Sequence, residues 1–545
     1  MQEITITFPD GTTKPFSYAT PLYEIAEFYQ PKMKHNIIGV KVNNEILPMH
    51  MKLTKNASVS FLDVTNPYGY RMYQAALKFI FEVAVKETFP NVEVHFLHSV
   101  PKGIMTEIEG KDIQKEDINK IKEAMARIIH NDEKIMKYNV EKKEAIRYFE
   151  KHGQKEKAKN IHNTNNDIVS FYKLKNIYNY YYTDMPYNTK NINKFDLKLL
   201  EHNRIVLVYP SSRTEGAVPE YIHYEGIINT FLEGQNWLKK MHTPFLSDLN
   251  EEVSSGKIQE FIGSCELIFN ESIAKVASEI ATLKEKKIVL ISGPSSTGKT
   301  TTTKRLASYL KALGYETIPI SVDDYYKDRE DTPKNELGEY DFESLKAIDT
   351  EMFNQDLQEL LDGKEVKLPV YDFVIQKKSR SANAVKMGDN SILLIEGLHG
   401  LNEELTLAIE EKYKYKIYLS PFIPLGIDRH NYVSTVDLRL LRRIVRDNRT
   451  RGTDVAKTME LWQSVREGEE KYIFPFIHQA DVIINTAYAF EVGVLKVFVE
   501  PLLYSVGIDS PYYEEARRLI DSLRGFYPIP SEYISKDSIL REFIG

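Results

Sequence analysis

The sequence predicts an α/β protein whose C-terminal half is built on a parallel sheet, with a β-rich module and an α+β module in front of it. Three observations carry this prediction. The apolar, β-branched run Ile288-Val289-Leu290-Ile291 leads directly into the loop Gly293-Pro294-Ser295-Ser296-Thr297-Gly298-Lys299-Thr300, and then into a helical pattern with Leu306, Leu310 and Leu313 on one face. Further strand-like runs, at 317–322, 392–395 and 480–484, recur between helical stretches, as the strands of an open parallel sheet do. Near the N-terminus, Ile4, Ile6 and Phe8 alternate with threonines at the period of a half-buried strand.

Taken in order, residues 1–63 read as a small β-rich module. Pro9-Asp10-Gly11-Thr12 turns the first strand back toward Phe16. Thr20 followed by Pro21 reads as a cap and a first-turn proline, and Leu22, Ile25, Ala26 and Tyr29 follow at helical spacing. Two more strands fall at 37–42 and 58–64. Residues 64–230 read as an α+β domain, with a helix over 70–88, a strand through Val92, Val94 and Phe96, and a long charged helical stretch over 116–159. Residues 231–285 read as a helical connector, where Ile273, Val276, Ala277 and Ile280 share one stripe. The P-loop domain then spans 286–505, and 506–545 form a C-terminal tail.

Composition narrows the function classes. At 545 residues the chain exceeds a single core, so several domains are expected. A net charge of −7 argues against wholesale electrostatic binding of nucleic acid. The one cysteine, Cys265, excludes an intrachain disulfide and a cysteine-rich zinc site. The N-terminus lacks the basic and apolar regions of a secretory signal, and no apolar run approaches roughly 18 residues. A soluble, cytoplasmic protein with no membrane contact is expected.

The loop at 293–300 carries the most specific chemistry. Binding a polyphosphate needs several backbone N–H donors at close range, and glycines let the loop wrap without obstruction. The helix N-terminus adds dipole and unpaired N–H groups. Lys299 supplies a point charge to the terminal phosphates, and the Thr300 hydroxyl suits Mg²⁺. A P-loop specifies a nucleotide rather than a reaction, so the acceptor side matters. Asp323 and Asp324 follow the strand at 317–322, and a carboxylate at such a strand end lies in the ligand crevice, placed to accept a hydroxyl proton or simply to form a solvated turn. Arg439, Arg442, Arg443 and Arg446 recur at three- and four-residue spacing, giving a cationic helix face suited to a phosphate-covering lid, to a solvated face paired with Asp437 and Asp447, or to an RNA-binding patch.

These motifs accumulate in order: Glu339-Tyr340-Asp341-Phe342, Leu368-Pro369-Val370-Tyr371-Asp372-Phe373, Ile395-Glu396-Gly397, the arginine series, Arg451-Gly452, and Ala480-Asp481-Val482. The series resembles the uridine kinase and phosphoribulokinase family across 286–505. The strand-hairpin-helix-strand order of 1–63 resembles the TGS domain, a β-grasp module of threonyl-tRNA synthetase. Residues 64–230, with Ala84-Val85-Lys86-Glu87-Thr88-Phe89-Pro90 before a strand, resemble the additional domain of that synthetase. There, Ala75 and Phe79 stand where the editing histidines belong, and Val206-Leu207-Val208 offers no later cysteine or histidine, so the resemblance implies a scaffold without the editing chemistry. His95 and His98 on the strand read either as ligands or as strand residues on a partly solvated face.

The kinase resemblance implies transfer of the γ-phosphate of ATP to a nucleoside-like 5′-hydroxyl with Mg²⁺. Asp323, Lys299 and Arg446 would act in catalysis. Gly293, Ser295, Ser296, Thr297, Gly298, Lys299, Thr300, Thr301 and Arg451 would hold ATP, and Thr300, Glu396 and Asp323 the metal. Tyr326, Asp341, Tyr371, Gln376 and Arg443 would line the acceptor site. Three departures bear on the acceptor: Gln376 replaces a base-reading histidine, Thr453 an arginine, and Leu461 a base-side glutamine. Catalysis is expected to need no nucleic acid. RNA contact by the front half and homo-oligomerisation stay open, as do a sugar-phosphate acceptor and an RNA-associated regulatory NTPase.

Overall fold

The structure, a computed structural model, describes every residue except 1, 165, 212, 213, 335–337, 339, 373, 374 and 376. In the first module, Glu3–Thr7 pairs antiparallel with Thr13–Ser17 and parallel with Ala57–Leu62. The strand Gly39–Val42 lies between Ala57–Leu62 and Glu45–Leu47. Leu22–Tyr29 is the helix, and Leu22, Ile25, Ala26 and Tyr29 bury onto this sheet as their spacing predicts. Thr20 does not cap it. The cap position falls to Pro21, and the Thr20 hydroxyl donates to the Ser17 carbonyl at 2.7 Å.

The second module packs the helix Pro67–Thr88 on a four-stranded sheet. Its strand order is Asp196–Leu199, Arg204–Val208, Gly103–Glu109, Glu93–Val100. The continuous helix expected over 116–159 is not formed. The helix Lys115–His130 stops at Asn131, and Asp132 takes a left-handed φ of 52°. Ile135–Glu141 then forms a strand against Ile168–Leu174, and helices resume at Lys142–Lys151 and Lys155–His162. Remote pairing overrides local propensity there. His95 and His98 are also corrected: both are buried rather than partly solvated. Burial lowers their pKa values to about 3 and about 4, so both rings are neutral.

The C-terminal half carries a five-stranded, all-parallel sheet. Its strands are β1 (Ile288–Ser292), β2 (Glu316–Ser321), β3 (Ser391–Glu396), β4 (Lys414–Ser420) and β5 (Val482–Asn485), in the order β2-β3-β1-β4-β5. Helix α1 (Lys299–Ala312) follows β1, and α2 (Thr435–Arg451), α3 (Val455–Tyr472) and α4 (Glu491–Tyr504) come later in the chain. β1 is apolar from Ile288 to Ile291 because both faces are covered. Ile288 and Leu290 join a layer with Phe353 and Leu357, whereas Val289 and Ile291 join one with Ile273, Ala277 and Leu306.

That second layer also takes in the helix Ile258–Thr282 and the end of the chain. Phe526, Ile529, Ile539, Leu540 and Phe543 of the segment read as a tail all lie in this core. The front half is joined to the catalytic sheet by an apolar cluster that includes Leu97, Met105, Phe231, Tyr418 and Phe422. Beside it lies a buried polar one, in which Lys157 Nζ meets His430 Nδ1 at 2.6 Å and the Tyr180 hydroxyl donates to Asp428 at 2.7 Å. Among the described residues, no helix is long and apolar enough to cross a membrane.

Candidate active site

β1 delivers the P-loop to the C-terminal edge of the sheet, where open parallel sheets bind ligands. A Cβ on Gly293 would come within 2.6 Å of the Leu419 carbonyl of β4, so no side chain fits there. Gly298 takes a φ of 84°, a left-handed conformation that suits glycine, and α1 starts at the next residue. The Thr297 hydroxyl donates to the Pro294 carbonyl at 2.8 Å and closes the loop on itself. Lys299 Nζ donates to the Gly293 and Pro294 carbonyls at 2.9 and 3.3 Å.

Adjacent strand ends bring the carboxylates to this loop. In the register, Glu396 of β3 lies beside Ile291 of β1 and Ser321 of β2. The Thr300 hydroxyl lies 3.1 Å from both Glu396 carboxylate oxygens. Asp323 follows β2 in a short 3₁₀ turn. Its carboxylate is open to the cleft yet closely surrounded by protein. This crowding raises its pKa, with Asp324 adding to the effect, while Lys299 and Arg451 oppose it. Glu396 is raised for the same first reason, against Lys299 and the Thr300 hydrogen bond. Thr300 and Glu396 thus set a hydroxyl beside a carboxylate, and Asp323 lies near enough to add to the negative charge that Glu396 feels.

Near Asp323, the Tyr326 and Tyr371 rings lie 5.7 Å apart, and the Tyr326 hydroxyl donates to the Phe342 carbonyl at 3.0 Å. Asp324 holds the Tyr371 strand by accepting from its backbone N–H at 3.2 Å. Asp341 accepts from the Tyr472 hydroxyl of α3 at 3.2 Å. Gln376 lies outside the described residues, and Leu461 is exposed on α3.

Two groups that sequence reasoning missed stand here. The buried His399 ring packs 5.6 Å from the Tyr472 ring, and burial lowers its pKa to about 4. The Glu343 side chain lies against Gly468, where a Cβ would meet it at 2.8 Å. Burial and nearby Glu469 raise its carboxyl to about 7. Glu343 follows the Asp341-Phe342 pair directly, so its position was readable from the sequence. Its environment, set by α3, was not.

The arginine helix differs from expectation. Arg439 and Arg442 do not form a solvent-facing lid, because α2 is buried all round from Leu438 to Val445. Arg439 pairs with Glu469 and donates from Nε to the Ser295 carbonyl at 2.9 Å. Arg442 pairs with Glu491 and donates to the Ser296 and Thr486 carbonyls at 3.1 and 2.7 Å. Both brace the P-loop from behind, spending their donor forks on carboxylates and loop carbonyls. Arg443 reaches the Ser295 hydroxyl at 3.2 Å. Arg443, Arg446 and Arg451 converge on Asp447, at 3.2, 2.8 and 3.5 Å. Asp437 pairs instead with Arg518 at 2.6 Å.

Comparison with known proteins bears on this half of the chain. Residues 288–492 match the Phosphoribulokinase / Uridine kinase family. A uridine kinase of Ligilactobacillus salivarius (strain UCC118) is 28% identical over 204 residues, which cover 37% of this chain and 86% of that protein. A uridine kinase of Staphylococcus aureus (strain JH9) is also 28% identical, over 203 residues covering 37% and 88%. A solved structure, described as a possible uridine kinase from Bacillus stearothermophilus, aligns with 39% of this chain and 98% of its own at 20% identity and a TM-score of 0.27. The C-terminal part therefore carries a domain of the uridine kinase and phosphoribulokinase family, and the homologues indicate an ATP-dependent kinase.

Proposed function

We propose that this protein transfers the γ-phosphate of ATP to the 5′-hydroxyl of a nucleoside-like acceptor. The observation that carries the reading is the convergence of Lys299, Thr300, Glu396 and Asp323 at the adjoining ends of β1, β3 and β2. Tyr326, Tyr371 and Asp341 are read as the acceptor-side wall, supported by the 5.7 Å separation of the two tyrosine rings. A regulatory nucleotide switch has no use for a hydroxyl-binding wall, whereas a kinase does.

In this reading the backbone N–H groups of 293–301 hold the phosphates, and Lys299 turns from its loop carbonyls to the phosphate chain. Asp323 receives the hydroxyl proton as the oxygen attacks, and its raised pKa improves it as a base. Asp341 accepts from acceptor hydroxyls, and the two tyrosines flank the ring system. Thr300, Glu396 and Asp323 would hold Mg²⁺, whose charge would offset that of the phosphates. Arg443, Arg446 and Arg451, gathered on Asp447, form a cationic group that reaches the loop through Arg443 and the Ser295 hydroxyl, and moving from Asp447 to phosphate exchanges one anion for another. Residues 1–63 and 64–230 are read as TGS-like and synthetase-like modules with a binding, regulatory or purely structural role.

An ATP-consumption screen against nucleosides and sugar phosphates, with products identified by mass, tests the proposal. A nucleoside 5′-monophosphate is the expected product. Turnover only with sugar phosphates would move the acceptor class while leaving the phosphoryl-transfer chemistry intact.

A further inference from the structure

The last residues of the chain, beyond the span matched to the family, reach the P-loop. A Cβ on Gly298 would lie 3.0 Å from Ile539, so this residue rests directly against the loop. Phe543 is fully buried, with the Arg442 guanidinium 4.8 Å over its ring. Arg541 pins the segment by donating to the Ser531, Ser535 and Gly545 carbonyls at 2.9, 3.3 and 2.8 Å. These contacts deliver Glu542 to the first turn of α1. There its carboxylate accepts from the Thr301 hydroxyl at 2.8 Å and from the Thr301 backbone N–H at 3.3 Å. It also lies close enough to Glu396 to add to the negative charge felt by that carboxyl.

Thr301 is the last residue of the phosphate-binding run, and its N–H is one of the unpaired donors that open α1. A carboxylate oxygen and a phosphate oxygen ask the same thing of that N–H, and they repel one another. Both cannot occupy it together.

We propose that the C-terminal segment is a wall of the nucleotide site, in which Glu542 holds a phosphate position on α1 that an incoming nucleoside triphosphate must take from it. This rests on the reading of the loop as an ATP site. It predicts that the chain binds phosphates more weakly than its loop alone would, because apparent affinity scales with the fraction of molecules in the competent state. The competing role, a plain helix cap, predicts the opposite sign: loss of Glu542 would lower stability and leave nucleotide affinity unchanged or worse.

The test is equilibrium binding to the full-length chain without any acceptor, comparing wild type, Glu542→Gln and Lys299→Ala. Glutamine keeps the length of the side chain and removes its charge. Glu542→Gln should bind ATP and inorganic tripolyphosphate about tenfold more tightly, the gain expected where about a tenth of wild-type molecules have the position open. Adenosine, which brings no phosphate, should not discriminate between the two forms. Hydrogen exchange on wild type supplies a second readout, with amides of 531–545 expected to lose protection when ATP is added. Equal or weaker ATP binding by Glu542→Gln, or unchanged or greater protection of 531–545 with ATP, overturns the proposal. If Lys299→Ala binds ATP as wild type does, the loop is not the nucleotide site, and that reading falls before the assignment of Glu542 is reached.

Discussion

Replacing Arg442 by methionine separates a brace from a lid. Arg442 and Glu491 are both fully buried, and the guanidinium spends its donors on Glu491, the Ser296 carbonyl and the Thr486 carbonyl. Methionine fills much of the volume and supplies none of these bonds. Glu491 would keep one other partner, the Tyr488 backbone N–H at 3.3 Å, and would stand as a buried, uncompensated anion. Breaking such a pair costs about 3–5 kcal/mol, and freeing the loop carbonyls adds to it. The double variant Arg442→Met/Glu491→Met removes both charges, and for a well-packed replacement the cost falls toward zero. The P-loop would remain unbraced, so stability should recover while ATP affinity does not. Urea unfolding followed by the fluorescence of Trp237 and Trp462, the latter 5.2 Å from Arg439, measures the first quantity, and equilibrium ATP binding the second. A single variant within about 1 kcal/mol of wild type, with only turnover reduced, would mean that Arg442 works as a mobile phosphate contact and that the brace is wrong.

Lys299→Ala should weaken both ATP binding and turnover, whereas Asp323→Asn should keep ATP binding and lose about 10²–10⁴-fold in rate, and a rate above about a tenth of wild type excludes Asp323 as the base. Glu343 gives a pH signature. Its carboxyl is raised to about 7 in the folded chain from an ordinary 4.5, so the unfolded chain releases that proton first as pH rises. The folded state is therefore favoured at low pH and loses up to about 3 kcal/mol as pH climbs from 4.5 through 7. Glu343→Gln should flatten that slope in melting temperatures taken from pH 5 to 8, and parallel curves for the two proteins would exclude the assignment. Lys157→Met removes the cation beside Asp428 and His430 between the two halves, where no side-chain surface is exposed. A loss of about 3 kcal/mol is expected in thermal unfolding, and no loss would show that the network is not a structural tie.

What the sequence makes legible follows from the range of the physics. The P-loop is local: strand, loop glycines, Lys299 and Thr300 lie within thirteen residues of one another, and their positions in space follow from their order. The positions of Asp323 and Glu396 were legible because Glu396 ends a strand and Asp323 follows one, and a parallel sheet gathers its strand ends at one edge. Helical spacing likewise placed Arg439 and Arg442 on the same side of α2. It could not say whether that side meets water or protein, since the deciding partners, Glu469 and Glu491, lie 30 and 49 residues further on. The charged stretch at 116–159 misled for a related reason. Lys137, Tyr138 and Asn139 look helical by polarity, and only pairing with Phe171, Tyr172 and Ser170 makes them a strand. The end of the chain is the sharpest case. Ile539, Leu540, Phe543 and Ile544 are visibly too apolar to be left in water, so a docked segment could have been inferred from them. Its destination could not. The surface that receives these residues is assembled from Gly298, Arg442 and the helix Ile258–Thr282, which meet only once the sheet has formed. A carboxylate carried on such a segment acquires its chemistry from wherever the apolar residues dock, and here they dock so that Glu542 meets the Thr301 backbone N–H in the first turn of α1.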